Sequence, residues 1–303
     1  MRPHITGIAV LQAVMRLLAA FSLLAAPSGW LFAAGEDFLK LQSAFIRTLY
    51  DEGRYFECIA ETRRLMTYLP ADRKRGLEHF INVSYYRAGQ YRTVVRNLQP
   101  ALTGHDHGSV LLYSQALARL GAYAEAVRAL ESAAPWPDGP PREEFYVRSV
   151  EIRALAGEFA PAFHKASEGA ALYPDSVLPT LRDRLSAHDA LPSRSKPLAA
   201  ALSAALPGAG QAYAGRFADA LWSVTAVLAL GAGTALAWRE GHRDIAFTLG
   251  FFAVLAYGGN IYGAWNSAGE YNRAQTERFG ASAVRSVPEY RPFGDGILPE
   301  PLR

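Results

Sequence analysis

His105, Asp106 and His107 follow one another directly, and two imidazoles beside a carboxylate are side chains that can hold a divalent cation. A closed site needs about four ligands, and no further ligand stands at a suitable spacing, so a solvated turn between helices is the simpler reading. Cys58 is the single cysteine, which excludes an internal disulfide framework and a cysteine-rich metal site. It falls at a helix-packing position, where a thiol serves as a small buried hydrophobe rather than a nucleophile. Asn82-Val83-Ser84 fits the acceptor pattern for N-glycosylation but lies inside a helical stretch. No nucleophile–base pair and no carboxylate pair occurs at a working distance. The sequence therefore predicts no enzyme, no cofactor and no metal. The formal charge of +3, with basic residues scattered among acids, predicts no nucleic-acid partner.

One further stretch invites a chemical reading: "LPGAGQAYAGRFADALWSV", residues 206–224. A phosphate-cradling loop would need a Gly-Lys-Ser/Thr end and a preceding strand, and neither is present. The glycines must serve the chain's own geometry.

The elements around these residues are helical. Gly53, Gly89, Gly121 and Gly157 are spaced 36, 32 and 36 residues apart. Each is followed two residues later by an aromatic (Tyr55, Tyr91, Tyr123, Phe159) and five residues later by a smaller residue (Cys58, Val94, Ala126, Ala162). Glycine ends one helix in a left-handed conformation, the aromatic wedges between paired helices, and the small residue admits a close neighbour. This pattern resembles the tetratricopeptide repeat over residues 37–174, although the usual signature residues of the first helices are poorly kept. The resemblance implies an all-α fold, a helical solenoid whose concave face binds a protein or peptide. Tyr85, Tyr86, Arg87, Tyr113 and Arg148, on the expected first helices, are the candidate binding residues; core or solvated surface is their other reading. Residues 176–188 read as a terminal cap, which such arrays need because each unit buries its apolar face only on a neighbour.

Both ends are apolar. Met15 and Arg16 precede an apolar run, then Ala33, Ala34 and Gly35, then Glu36 and Asp37. That order is the order of an export signal, so residues 1–35 are expected to be a signal peptide, with translation from Met15 and an uncleaved anchor as open alternatives. The repeat domain is expected over 36–190, a linker over 191–197, a membrane domain over 198–279 and a disordered tail over 280–303.

Residues 217–238 and 245–265 each match the ~20 apolar residues needed to cross a bilayer, joined by the polar "REGHRD". A buried soluble helix pair is the other reading. Residues 197–206 are too short to cross and read as an interfacial or half-inserted helix. The turn that follows resembles the "PGxGQxYxG" signature of small bacterial two-span domains of the TM-two-like kind, carried here by Pro207, Gly208, Gly210, Gln211, Tyr213 and Gly215. That resemblance covers 196–275 and implies an architecture without an agreed activity. Gly259, Gly263 and Ser267 form a small-residue ridge, with packing inside the hairpin, self-association and a partner helix as its readings. Asn260 and Asn266 should face protein or water rather than lipid. Together these features lead us to expect a repeat scaffold for protein–protein interaction, anchored in a bacterial inner membrane with its repeats in the periplasm. An accessory role in envelope assembly or membrane-protein insertion is the alternative.

Overall fold

The computed structural model describes residues 28–99, 106–133 and 135–291. They are all-helical, with thirteen α-helices, two short 3-10 turns and no strand among the described residues. The expected signal peptide lies outside them up to residue 27, and its small-residue site at 33–35 falls inside the first helix. The chain divides into two compact units, one of Met1–Leu120 with Tyr290–Arg303, the other of Gly121–Glu289. That boundary sits within the expected repeat domain, not at the 191–197 linker.

The first unit contains α1 (Ser28–Asp51), α2 (Tyr55–Met66), α3 (Ala71–Arg87), α4 (Tyr91–Leu98) and α5 (His107–Arg119). Consecutive helices pack on each other around Ile46, Leu49, Cys58, Leu65, Leu69, Leu77 and Phe80. Gly53 and Gly89 have φ of 75° and 73°. At the first, the Gly53 N–H donates to the Tyr50 carbonyl (3.0 Å) and the Arg54 N–H to Leu49 (2.9 Å); Gly89 and Gln90 repeat the pair on Tyr86 and Tyr85. This double closure satisfies carbonyls that the helix end leaves bare. Tyr55 and Tyr91 stand edge-on to Tyr50 and Tyr86 at 5.5 and 5.3 Å, and Cys58 and Val94 are wholly buried.

The second unit contains α6 (Tyr123–Ser132), α7 (Pro140–Leu155), α8 (Phe159–Leu172), α9 (Leu178–Leu185), α10 (Lys196–Ala205), α11 (Ala209–Tyr213), α12 (Phe217–Arg239) and α13 (Arg243–Ala283). Gly157 closes α7 as Gly53 closes α1, at φ 80°, and Ala126 and Ala162 are wholly buried. Helix α9, within the expected cap, buries Leu178, Leu181 and Leu185 completely. Helices α12 and α13 are long and apolar enough to cross a membrane, and Gly241 (φ 84°) turns the chain between them.

Helix α13 does not end at residue 265. It runs unbroken for 41 residues, ~60 Å at the usual rise, and its distal part packs on α7, α8 and α9. A Cβ on Gly280 would come within 2.5 Å of the Ala154 carbonyl oxygen, and one on Gly157 within 2.8 Å of Thr276. Phe159, the aromatic of the expected fourth repeat, meets Phe279 edge-on at 4.8 Å. Arg184 reaches the Ala283 carbonyl (3.4 Å) and Ser286 Oγ (3.1 Å).

These contacts correct the expectation of a disordered 280–303. Residues 280–286 are helical because Gly280 lets α13 approach α7 closely and Arg184 holds the following 3-10 turn (Val284–Ser286); residues 292–303 lie outside the described residues.

Candidate functional site

The glycine-rich turn is built around Gln211 and Asn260. Helix α10 begins at an N-cap, Ser195, whose side chain accepts from the Leu198 N–H. It runs antiparallel to α13, with Lys196 against Gly269, the Ser203 carbonyl accepting from Asn260 Nδ2 (3.0 Å), and Tyr257 Oη donating to the Ala204 carbonyl. Pro207 and Gly208 (φ 85°) then reverse the chain, and α11 climbs back until Tyr213 Oη accepts from the Ser195 N–H (3.2 Å). Gly215 (φ 81°) turns it into α12. The segment goes down along α13 and returns to the level where it started.

Each residue of the motif has a physical task. A Cβ on Gly208 would stand 2.5 Å from the Ala220 carbonyl oxygen, and one on Gly210 only 1.9 Å from the Ala199 oxygen and 2.6 Å from Ala264 Cβ. Gln211, 3% exposed, donates to the Asn260 carbonyl (2.9 Å) and Ser223 Oγ (3.3 Å), and accepts from Ser203 Oγ (2.8 Å). Ser203 Oγ in turn accepts from the Gly210 N–H (2.9 Å), and Asn260 Oδ1 from the Gly208 N–H (2.9 Å). The carbonyls and N–H groups exposed by a broken helix are therefore answered by side chains within the fold, as burial demands. At the upper end Arg194 lies between the rings of Tyr213 (4.9 Å) and Tyr271 (5.3 Å), and Asn272 clamps the Arg194 backbone N–H and carbonyl at 2.7 and 2.9 Å. Arg216 pairs with both Asp219 and Glu270.

The packing face of α13 keeps two of the expected residues, Asn260 and Ser267, but not Gly259 or Gly263. Asn260, Ala264, Ser267 and Ala268 are the buried face, with Ala264 and Ala268 against Ala199. A Cβ on Gly259 would meet nothing within 4 Å, and one on Gly263 would meet only Gln211 Nε2, at 3.4 Å. Both glycines instead line a cleft of about 500 Å³ together with Arg216, Asp219, Ser223 and Asn266. The asparagines thus part company, Asn260 buried in the network and Asn266 exposed at the cleft.

The outer faces of the two long helices are apolar and open. The most apolar windows of α12 and α13 are only 11% buried, and Trp222, Phe247 and Val254 are 74%, 69% and 71% exposed.

Among the candidate binding residues, two are buried. Arg148 is 2% exposed; its guanidinium takes Glu144 (2.7 Å) and Glu151 (2.8 Å) on α7 and donates to the Pro288 carbonyl (2.9 Å). Burial opposes its charge, but the two carboxylates outweigh that and raise its pKa above the ordinary arginine value. Arg148 is therefore committed to internal charge pairing, since a guanidinium without partners could not be buried at such depth. Tyr86, 4% exposed, accepts from Arg119 Nε (3.3 Å) and packs against Tyr91 and Tyr290. Tyr85 is half-buried and accepts from Arg63 (3.1 Å); Arg87 and Tyr113 are also half-buried and carry partners.

No protein-family model matches the chain, and no match to a curated protein was found.

His105 lies outside the described residues, whereas Asp106 and His107 open α5, with Asp106 accepting from Ser109 Oγ. Asn82 Nδ2 donates to the Glu78 carbonyl (3.0 Å), and its Oδ1 accepts from Asn97 Nδ2 (3.0 Å). Cys58 Sγ lies 3.9 Å from Ser84 Oγ, and burial pushes its pKa up, away from thiolate chemistry. Ser203 and Asn272 are not singled out by the sequence. A serine within "AAALSAAL" reads as helix filler; only its proximity to a broken helix end could mark it.

Proposed function

We propose that this chain is a membrane-anchored scaffold, in which tetratricopeptide-like helix pairs present a protein-binding surface and α12 and α13 cross the bilayer. The observation that carries the reading is the pair of long apolar helices only 11% buried, with large side chains facing outward. A soluble core helix would have most of that surface covered, whereas lipid covers it at no cost. Helices α10 and α11 then form a half-inserted wedge whose polar groups are satisfied by Gln211, Asn260 and Ser203, the condition for irregular backbone at such depth. With an export signal the repeats lie in the periplasm, and Arg239 and Arg243 face the cytoplasm.

Crosslinking in native membranes followed by mass spectrometry tests the reading. Captured periplasmic proteins attached to the repeats support it; extraction of the chain by alkaline carbonate without detergent overturns the anchoring. The accessory role in envelope assembly or membrane-protein insertion is favoured by one observation, the cleft at Gly259, Gly263 and Asn266, which offers polar groups beside an apolar surface. Crosslinks from Asn266 to integral membrane proteins would select it.

A further inference from the structure

The end of α13 needs nothing beyond Ser286. Arg184 satisfies the Ala283 carbonyl and Ser286 Oγ, and the Val287 N–H closes on the Val284 carbonyl at 2.9 Å. Val287 then turns the chain extended, at φ −68° and ψ 123°, and no helix or strand follows through Arg291. Yet these residues are held. In the second unit Arg148 takes the Pro288 carbonyl at 2.9 Å. In the first unit Tyr290 is 4% exposed and stands perpendicular to the Tyr86 ring, with centroids 6.1 Å apart.

The place that receives Tyr290 has supports of its own. Tyr86 ends α3, its hydroxyl held by Arg119 of α5 and its ring by Tyr91 of α4. The ring therefore has supports besides Tyr290. An extended segment with a proline and one buried aromatic has the form of a bound peptide: proline lowers the entropy lost on ordering, and an aromatic anchor supplies most of the contact energy.

We propose that the Tyr86 face of the repeats is a seat for an extended peptide bearing an aromatic anchor, and that the chain's own segment around Tyr290 is its resident occupant. This rests on the repeats being a protein-binding surface. An external peptide must displace Tyr290, so its apparent affinity is reduced by the fraction of time the seat is filled.

The probe is a fluorescein-labelled peptide with the sequence of residues 284–291, tested by anisotropy against the detergent-solubilised full chain, a Tyr290→Ala full chain and a chain ending at Ser286. We expect the last two to bind it about tenfold or more tighter than the unaltered chain, as a seat filled nine-tenths of the time requires. The same peptide carrying Tyr290→Ala should lose that binding. Circular dichroism checks that each variant is folded; if the shortened chain is not, the Tyr290→Ala chain decides. Equal affinity for the unaltered and Tyr290→Ala chains, or no binding to a folded Tyr290→Ala chain, overturns the proposal. Either negative result alongside captured periplasmic proteins would leave the scaffold reading standing and remove only the resident peptide.

Discussion

Gln211 donates its side-chain amide to the backbone carbonyl of Asn260 at 2.9 Å, across 49 residues of sequence. Asn260 returns its own side chain to the turn that carries Gln211, through the Gly208 N–H. Neither residue can be removed without stranding buried polar groups of the other segment. Gln211→Ala and Asn260→Ala should each destabilise the hairpin by about 1–3 kcal/mol. Because they share one network, the double variant should lose less than the sum. Thermal unfolding in detergent, followed by circular dichroism, measures all three; strict additivity would contradict the shared network.

Two glycines give opposite expectations. Gly210→Ala puts a methyl where the Ala199 oxygen stands, at 1.9 Å, so α10 and α11 must separate and the stability lost should reach several kcal/mol. Gly259→Ala meets nothing within 4 Å and should leave a monomeric chain unchanged, or slightly steadier through helix propensity. Melting temperatures of the two variants, measured side by side, decide whether the packing face is the one through Asn260 and Ala264.

The first unit should weaken in acid. Burial holds the His79 pKa below the usual 6.5, with the Asp106 charge opposing it less strongly, and its ring lies 3.3 Å from Ser109 Oγ. A base whose folded pKa is depressed binds fewer protons folded than unfolded, so stability is full above about 6.5 and falls as pH drops through the unfolded value toward the folded one. His79→Gln should flatten that loss. Melting curves at pH 7.5 and about 5 check it; equal slopes for both proteins would remove His79 as the cause.

The proposed topology has a direct readout. Alkaline phosphatase fused after Arg303 should be active, and the same enzyme fused after Gly241 inactive, because an even number of spans returns the chain to the exported side. Activity at Gly241 would place the α12–α13 turn outside and reverse the orientation.

The helix pairs are legible in the sequence because their signals are local. A glycine followed by an aromatic and a small residue fixes a helix end and its neighbour within a few positions, and the long apolar runs declare themselves by composition. The polar character of Gln211 and Asn260 is visible too, but not their pairing, since nothing local links residues 49 apart. Ser267 of the expected ridge is buried, but Gly259 and Gly263 give way to their neighbours Asn260 and Ala264, because the sequence cannot tell which face of a helix meets a half-length neighbour such as α10. Arg148 reads as a candidate binding residue, with core or solvated surface as its other reading, because its partners Glu144 and Glu151 also suit a solvated helix face. Gly157, the glycine of the expected fourth repeat, looks like a helix end and nothing more; its second use, admitting Thr276, depends on a helix that returns from far downstream in the chain.

That second use has a mechanical side. From the apolar segment near Leu255 to Gly280 there is no break in α13, so the helix acts as a lever whose far end is fastened to α7 through the Ala154–Gly280 approach. A change in tilt of about 10° at the membrane would carry Gly280 sideways by ~6 Å over a ~37 Å arm. A mismatch between an apolar helix and the bilayer's thickness is accommodated in part by such tilts. If α13 crosses the bilayer as proposed, the lipid composition around it is a coordinate of the helices docked on its far end, α7 to α9, which stretching or thinning the membrane would reposition without any ligand.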